Sequence, residues 1–154
     1  MPKYYKKKYY KGSRDKYSVE QIAGALEIPA ASQAYSTVVG DTGVQGMRKV
    51  KHLTVSVSSS SGTVGGVAYW ALVYKPQGVA LNQMNITGTS TMYEPNQYVM
   101  GCGVFDFNGG PLRIRCPLSR NLNSGDSVCL IMANPSSSTP LIVRYVVQYA
   151  ITLQ

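Results

Sequence analysis

The chain has 154 residues, a formal net charge of +8 and only 14% charged residues, against about 25% in ordinary soluble domains. That length fits one domain with a core of ordinary size. Seven of its fifteen basic residues lie in the first sixteen positions against one acid, so +6 belongs to an appendage and +2 to the rest. This excludes a body that is basic all over, and it points to phosphate backbones or anionic membrane surfaces as partners of the appendage.

Residues 1–17, MPKYYKKKYYKGSRDKY, interleave Lys3, Lys6, Lys7, Lys8, Lys11, Arg14 and Lys16 with Tyr4, Tyr5, Tyr9, Tyr10 and Tyr17. So little aliphatic surface cannot offset the entropy of ordering, and a disordered arm is expected. Lysines bind phosphate by releasing condensed counterions. Tyrosine rings offer faces on which unpaired bases stack, at roughly 1–3 kcal/mol per base. The combination suits single strands better than duplex. The same run also reads as a nuclear-import signal or as a solvated tail. No apolar stretch follows the lysines, as a secretory signal would require. The uncharged stretch from His52 to Tyr74 is broken by SSSSGTVGG, so no membrane span is expected.

Residues 18–33 form a lead-in. Ser18 and Gln21 have capping-box spacing, and Ile22 and Leu26 stand four apart. The segment reads as a short helix ended by Pro29, or as an extended approach to the first strand.

From residue 34 to residue 154 the pattern is short β runs between turns. Expected strands are Ala34–Val39, Met47–Val57, Val67–Lys75, Tyr98–Phe107, Leu112–Leu118, Ser127–Ala133 and Leu141–Leu153. The last places Leu141, Val143, Tyr145, Val147, Tyr149, Ile151 and Leu153 at successive alternate positions, a period of two that no helix matches. Val67–Lys75 is apolar on both faces, as in a strand covered on both sides. Asn108-Gly109-Gly110-Pro111 is a strong turn signal. Seven or eight strands without helical periodicity mean an all-β sandwich or barrel. The low charge of the body implies that other subunits cover much of it.

Arg113 and Arg115 share a strand face opposite Ile114 and Cys116. They would face the inside of an assembly, pair across a subunit boundary with Glu94, Asp106 or Asp126, or meet solvent. Arg48, Lys49 and Lys51 pose the same question. Lys49 and Lys51 have the parity of Leu53, so this strand is expected to leave the core before reaching them. Cys102, Cys116 and Cys129 lie inside expected strands as small apolar residues, which favours a reducing compartment without disulfides.

Catalytic chemistry finds little support. His52 is the only histidine and nothing marks a nucleophile for it. No zinc pattern is present, and no cofactor is expected. Trp70, with Tyr69 and Tyr74, reads as packing rather than as a sugar platform.

Three stretches together resemble capsid proteins of small circular, Rep-encoding single-stranded DNA viruses, the circovirus-like group. They are the arm passing into Asp15-Lys16-Tyr17-Ser18-Val19-Glu20, the run Arg120-x-Leu122-x-x-Gly125-Asp126-Ser127-Val128, and the closing Val143-Arg144-Tyr145-Val146-Val147-Gln148-Tyr149. The resemblance implies an eight-stranded jelly roll, a homo-oligomeric icosahedral shell of sixty subunits, and a basic arm facing the packaged single-stranded DNA. It also implies a virion protein that passes through the host nucleus with the help of import factors. The arm departs from that group in being short and rich in lysine and tyrosine rather than arginine. Small RNA satellite viruses share the compact jelly roll with a basic arm. A monomeric nucleic-acid chaperone with a basic tail is the competing class. Sixty arms of +6 would supply about 360 positive charges, so the arm makes sense mainly as one of an array.

Overall fold

The computed structural model describes residues 17–43, 45–60, 66–81, 98–136 and 138–153. Nine strands follow one another: β1 (Tyr17–Ile28), β2 (Ser32–Val39), β3 (Arg48–Ser59), β4 (Val67–Lys75), β5 (Val99–Asp106), β6 (Leu112–Cys116), β7 (Arg120–Leu122), β8 (Ser127–Asn134) and β9 (Leu141–Leu153). No α-helix occurs among the described residues.

The strands form two antiparallel sheets. One runs β1-β9-β3-β6 with β7 also on β3, and the other runs β2-β8-β4-β5. β6 and β7 are one strand position interrupted at Pro117, whose ring removes a ladder donor. Counted that way, the pairs are first with last, second with seventh, third with sixth and fourth with fifth. This is one long antiparallel ribbon folded over on itself into a jelly roll. The all-β sandwich expected from the alternating runs is therefore the fold.

β9 is the spine of the first sheet. Its alternate residues Leu141, Val143, Tyr145, Val147, Tyr149 and Ile151 are buried, while β1 and β3 flank it on either side. They meet Val128, Leu130 and Met132 of β8 and Ala68 and Leu72 of β4 from the facing sheet. β8 is buried along its whole length. Its second face, with Ala71 and Val73, packs under Leu81, Tyr98, Tyr69 and Val99. The surface that covers β4 from outside thus includes residues of this chain's own β4–β5 connection.

Three expectations need correction. Of the two readings of residues 18–33, the extended one holds and the helix does not, but residues 17–28 are themselves a strand of the sandwich. They are a twelve-residue strand paired with β9 from Tyr17 opposite Thr152 to Ile28 opposite Leu141. The sandwich therefore begins at Tyr17 rather than at residue 34, and Tyr17 belongs to it and not to the arm. Ser18 to Ala23 are exposed because β1 is an edge strand, so no alternation marks it in the sequence.

β3 also stays in the core where it was expected to leave. Val50 is buried as fully as Leu53. Lys51 lies opposite Ala150 and Thr54 opposite Gln148, so β3 carries one extra residue there. His52 holds this bulge at φ 55°, in the left-handed region. The bulge reverses parity, so Lys49 and Lys51 turn outward without the strand moving away. The sixth strand ends at Cys116 instead of Leu118, which is exposed beyond Pro117.

Candidate nucleic-acid interface

The cross-strand register gathers five of the body's eight basic residues on one face. On the outer side of the first sheet, Arg113 lies opposite Ser56 and Arg115 opposite Thr54. Ser56 faces Val146, Ser58 faces Arg144, Lys51 faces Ala150 and Lys49 faces Thr152. β1 extends the same face with Val19, Gln21, Ala23 and Ala25. Lys49, Lys51, Arg113, Arg115 and Arg144 therefore share it, with Glu27 as the acid of the same parity. Arg113, Arg115 and Arg144 are exposed, and Thr54, Ser56 and Gln148 between them supply uncharged hydrogen-bonding groups.

The face is two-toned. Val19, at 62% exposure, and Val146, at 50%, make its β1–β9 half apolar, and the basic half lies over β3 and β6. The opposite outer face, on β2-β8-β4-β5, presents Tyr35 and Val104 at 60% and 52% exposure, with Lys75 as a charged residue of that parity.

Arg48 stands apart from the lysines beside it in sequence. It has the inward parity of Val50, and its Nη2 donates to the carbonyl of Gly40 at 2.9 Å. It braces the β2–β3 connection instead of facing outward. Lys3, Tyr4, Tyr5, Lys6, Lys7, Lys8, Tyr9, Tyr10, Lys11, Arg14 and Lys16 lie outside the described residues, as does Glu94. Tyr17, where the arm joins the sandwich, lies under the Lys51 ammonium, 4.7 Å from its ring centroid. The point of attachment is thus on the cationic sheet. Arg144 was not singled out from the sequence, although its alternation with Val143 and Tyr145 already placed it opposite the apolar face.

One end of the sandwich is tied by Asp126. Its buried carboxylate accepts the Tyr74 hydroxyl at 2.7 Å, the Gln77 amide at 3.0 Å and the Asn123 amide at 2.8 Å. Burial alone would raise its pKa, but these hydrogen bonds outweigh it and hold the carboxyl below its ordinary value. Tyr74 is pushed up to about 12 by burial and by its bond to Asp126, so it stays a neutral donor. Arg120, on β7, lies over the Tyr74 ring with Cζ 5.7 Å from the centroid. At the other side, the Tyr149 hydroxyl donates to Glu20, and burial followed by that carboxylate raises the phenol's pKa.

Asp126 is fully engaged and Asp106 caps the Asn108 amide at 2.9 Å. Neither forms part of a metal-binding group among the described residues. Cys116 and Cys129 are buried and Cys102 is exposed, all as free thiols.

No known protein family matches the chain, and no curated protein does. Among solved structures it is similar to one described as the 60-mer BFDV capsid protein. That match has 9% identity and a TM-score of 0.42, and covers 92% of this chain and 96% of that one.

Proposed function

We propose that this protein is a non-enzymatic viral coat protein whose sandwich assembles into a closed icosahedral shell, of sixty copies in the simplest case. The cationic sheet face and the arm hold a single-stranded DNA genome on the inside. One observation carries this reading: Tyr17, where the Lys/Tyr-rich arm begins, lies on the same sheet that collects Lys49, Lys51, Arg113, Arg115 and Arg144. The arm's point of attachment is thus on the sheet that carries the body's cationic face, although tens of residues separate the two in sequence.

The arrangement suits phosphate contact without base reading. Arg and Lys on a flat sheet can neutralise a backbone, while the arm's tyrosines stack on unpaired bases. The face adds a net +4 to the arm's +6, and sixty copies would carry about 600 positive charges. Val19, Val146, Tyr35 and Val104 are exposed apolar residues of the kind that become buried between subunits. Passage through the host nucleus by import factors reading the lysine run is part of the same proposal.

The test is expression of the full chain and of a form lacking residues 2–16, followed by nuclease treatment, sedimentation and electron microscopy. Both forms should yield particles, and the shortened form should have a clearly lower absorbance ratio at 260 over 280 nm. An equal ratio in the two would contradict packaging by the arm. A full chain that stays a single subunit at high concentration would contradict the shell.

A further inference from the structure

We propose that a cavity at the β7 edge of the sandwich is a discrete site for one nucleotide phosphate. It is lined by Lys49, Tyr74, Ser119, Arg120 and Asn121, with a volume of about 330 Å³. The proposal rests on the packaging reading and adds a defined subsite to what is otherwise a diffuse cationic surface.

Its position follows from register. Tyr17 lies opposite Thr152, Thr152 opposite Lys49, and Lys49 opposite Asn121. This single cross-strand row runs from the root of the arm to the lip of the cavity. With strands about 4.8 Å apart, its length is roughly 14 Å. A strand of nucleic acid drawn to the arm therefore passes close to the cavity.

The lining chemistry matches an oxyanion. Lys49 and Arg120 bring two positive charges, Ser119 a hydroxyl and Asn121 an amide, and no lining residue is acidic. The nearby Asp126 does not neutralise them through a direct contact, because its oxygens are taken by Tyr74, Gln77 and Asn123. The Arg120 Nε–H is buried and has no acceptor among the described residues. A buried guanidinium donor without an acceptor is costly, and a phosphate oxygen is the acceptor whose charge and geometry suit it best. Arg120 is also held in place, since its guanidinium lies over a Tyr74 ring whose hydroxyl is tied to Asp126. The site is preorganised on its basic side.

Size separates the occupants. A carboxylate carries one charge and would fill a small part of the cavity, whereas this volume lies at the lower end for small-ligand sites. A phosphate with its attached sugar is the better match in charge and in volume.

The experiment is isothermal titration of the full chain with dTMP, thymidine and inorganic phosphate. Expected are one dTMP per subunit, thymidine at least tenfold weaker, and competition by inorganic phosphate. Lys49→Gln and Arg120→Lys should each weaken dTMP at least fivefold, and Lys75→Gln, on the outer face of the other sheet, should leave it unchanged. Arg120→Lys keeps the charge and removes the Nε–H, and Lys49→Gln provides a second variant should Arg120→Lys fail to fold. dTMP binding that is unaltered in Lys49→Gln would assign the nucleotide to the arm and overturn the site. No dTMP binding by the unaltered chain, with particle assembly lost in the variants, would assign the cavity to an acidic group of a second copy and overturn it as well. The absorbance ratio of arm-deleted particles tests packaging separately, so failure of that reading and failure of the pocket are distinguishable.

Discussion

Val50 and Leu53 point into the same core although three positions separate them on one strand, because His52 adopts φ 55° and inserts an extra residue. The bulge also lies opposite the break between β6 and β7, where Cys116 pairs with Leu53 and Arg120 with Val50. Both flanks of β3 are interrupted at the same level, and it is this interruption that turns Lys49 and Lys51 outward.

His52→Val should therefore destabilise the protein by about 1–2 kcal/mol, since a β-branched side chain clashes in the left-handed region. His52→Gly should be neutral or slightly stabilising. Urea midpoints of the two variants check the pair. A valine variant with an unchanged midpoint would show that the bulge does not depend on that conformation.

Trp70, the single tryptophan, packs across two glycines of β5. A Cβ at Gly103 would lie 2.9 Å from its Cζ2, whereas one at Gly101 would lie 3.7 Å from Cζ3, an ordinary contact. Gly103→Ala is expected to cost about 1–3 kcal/mol by overpacking and to shift the Trp70 emission maximum. Gly101→Ala should leave the emission nearly unchanged. Fluorescence-detected denaturation reads both effects in one experiment.

Asp126 makes stability depend on acid. Its carboxyl titrates lower in the folded chain than in the unfolded one, so its contribution is full above the unfolded value of about 3.9. That contribution falls as pH drops through the folded value. Asp126→Asn should cost about 2–3 kcal/mol at neutral pH by weakening the hydrogen bonds from Tyr74, Gln77 and Asn123. It should also flatten the stability profile below pH 4. Unfolding free energies between pH 3 and 7 for both proteins give the comparison, and parallel profiles would refute the assignment.

Arg113 and Arg115 are exposed on an edge strand, so Arg113→Gln with Arg115→Gln should leave folding intact. If both contact phosphates, the slope of log affinity for oligothymidylate against log salt should shrink by about 1.4. Binding measured between 50 and 300 mM salt checks this. An unchanged slope would remove them from the interface.

Several elements were legible in the chain because their surroundings are uniform. β9 alternates strictly since one side always meets the core, and β4 reads as apolar on both faces since residues on each of its faces pack against others. β1 was not legible. Its first half overhangs as an exposed edge whose residues need no apolar side, and Ser18 and Gln21 happen to mimic a helix cap. Its β conformation comes from β9, more than a hundred residues away. Arg120 and Tyr74 could not be joined from sequence either, because they belong to different sheets.

The sequence by itself determined that this is a β-strand protein with its charge excess on a short leader, since period and composition are local properties. Tertiary structure decided which way the body's cations face. A body of net +2 looks almost neutral when counted along the chain. Only the pairing of distant strands, together with one residue's reversal of parity, sorts five of the body's eight basic residues onto a single side.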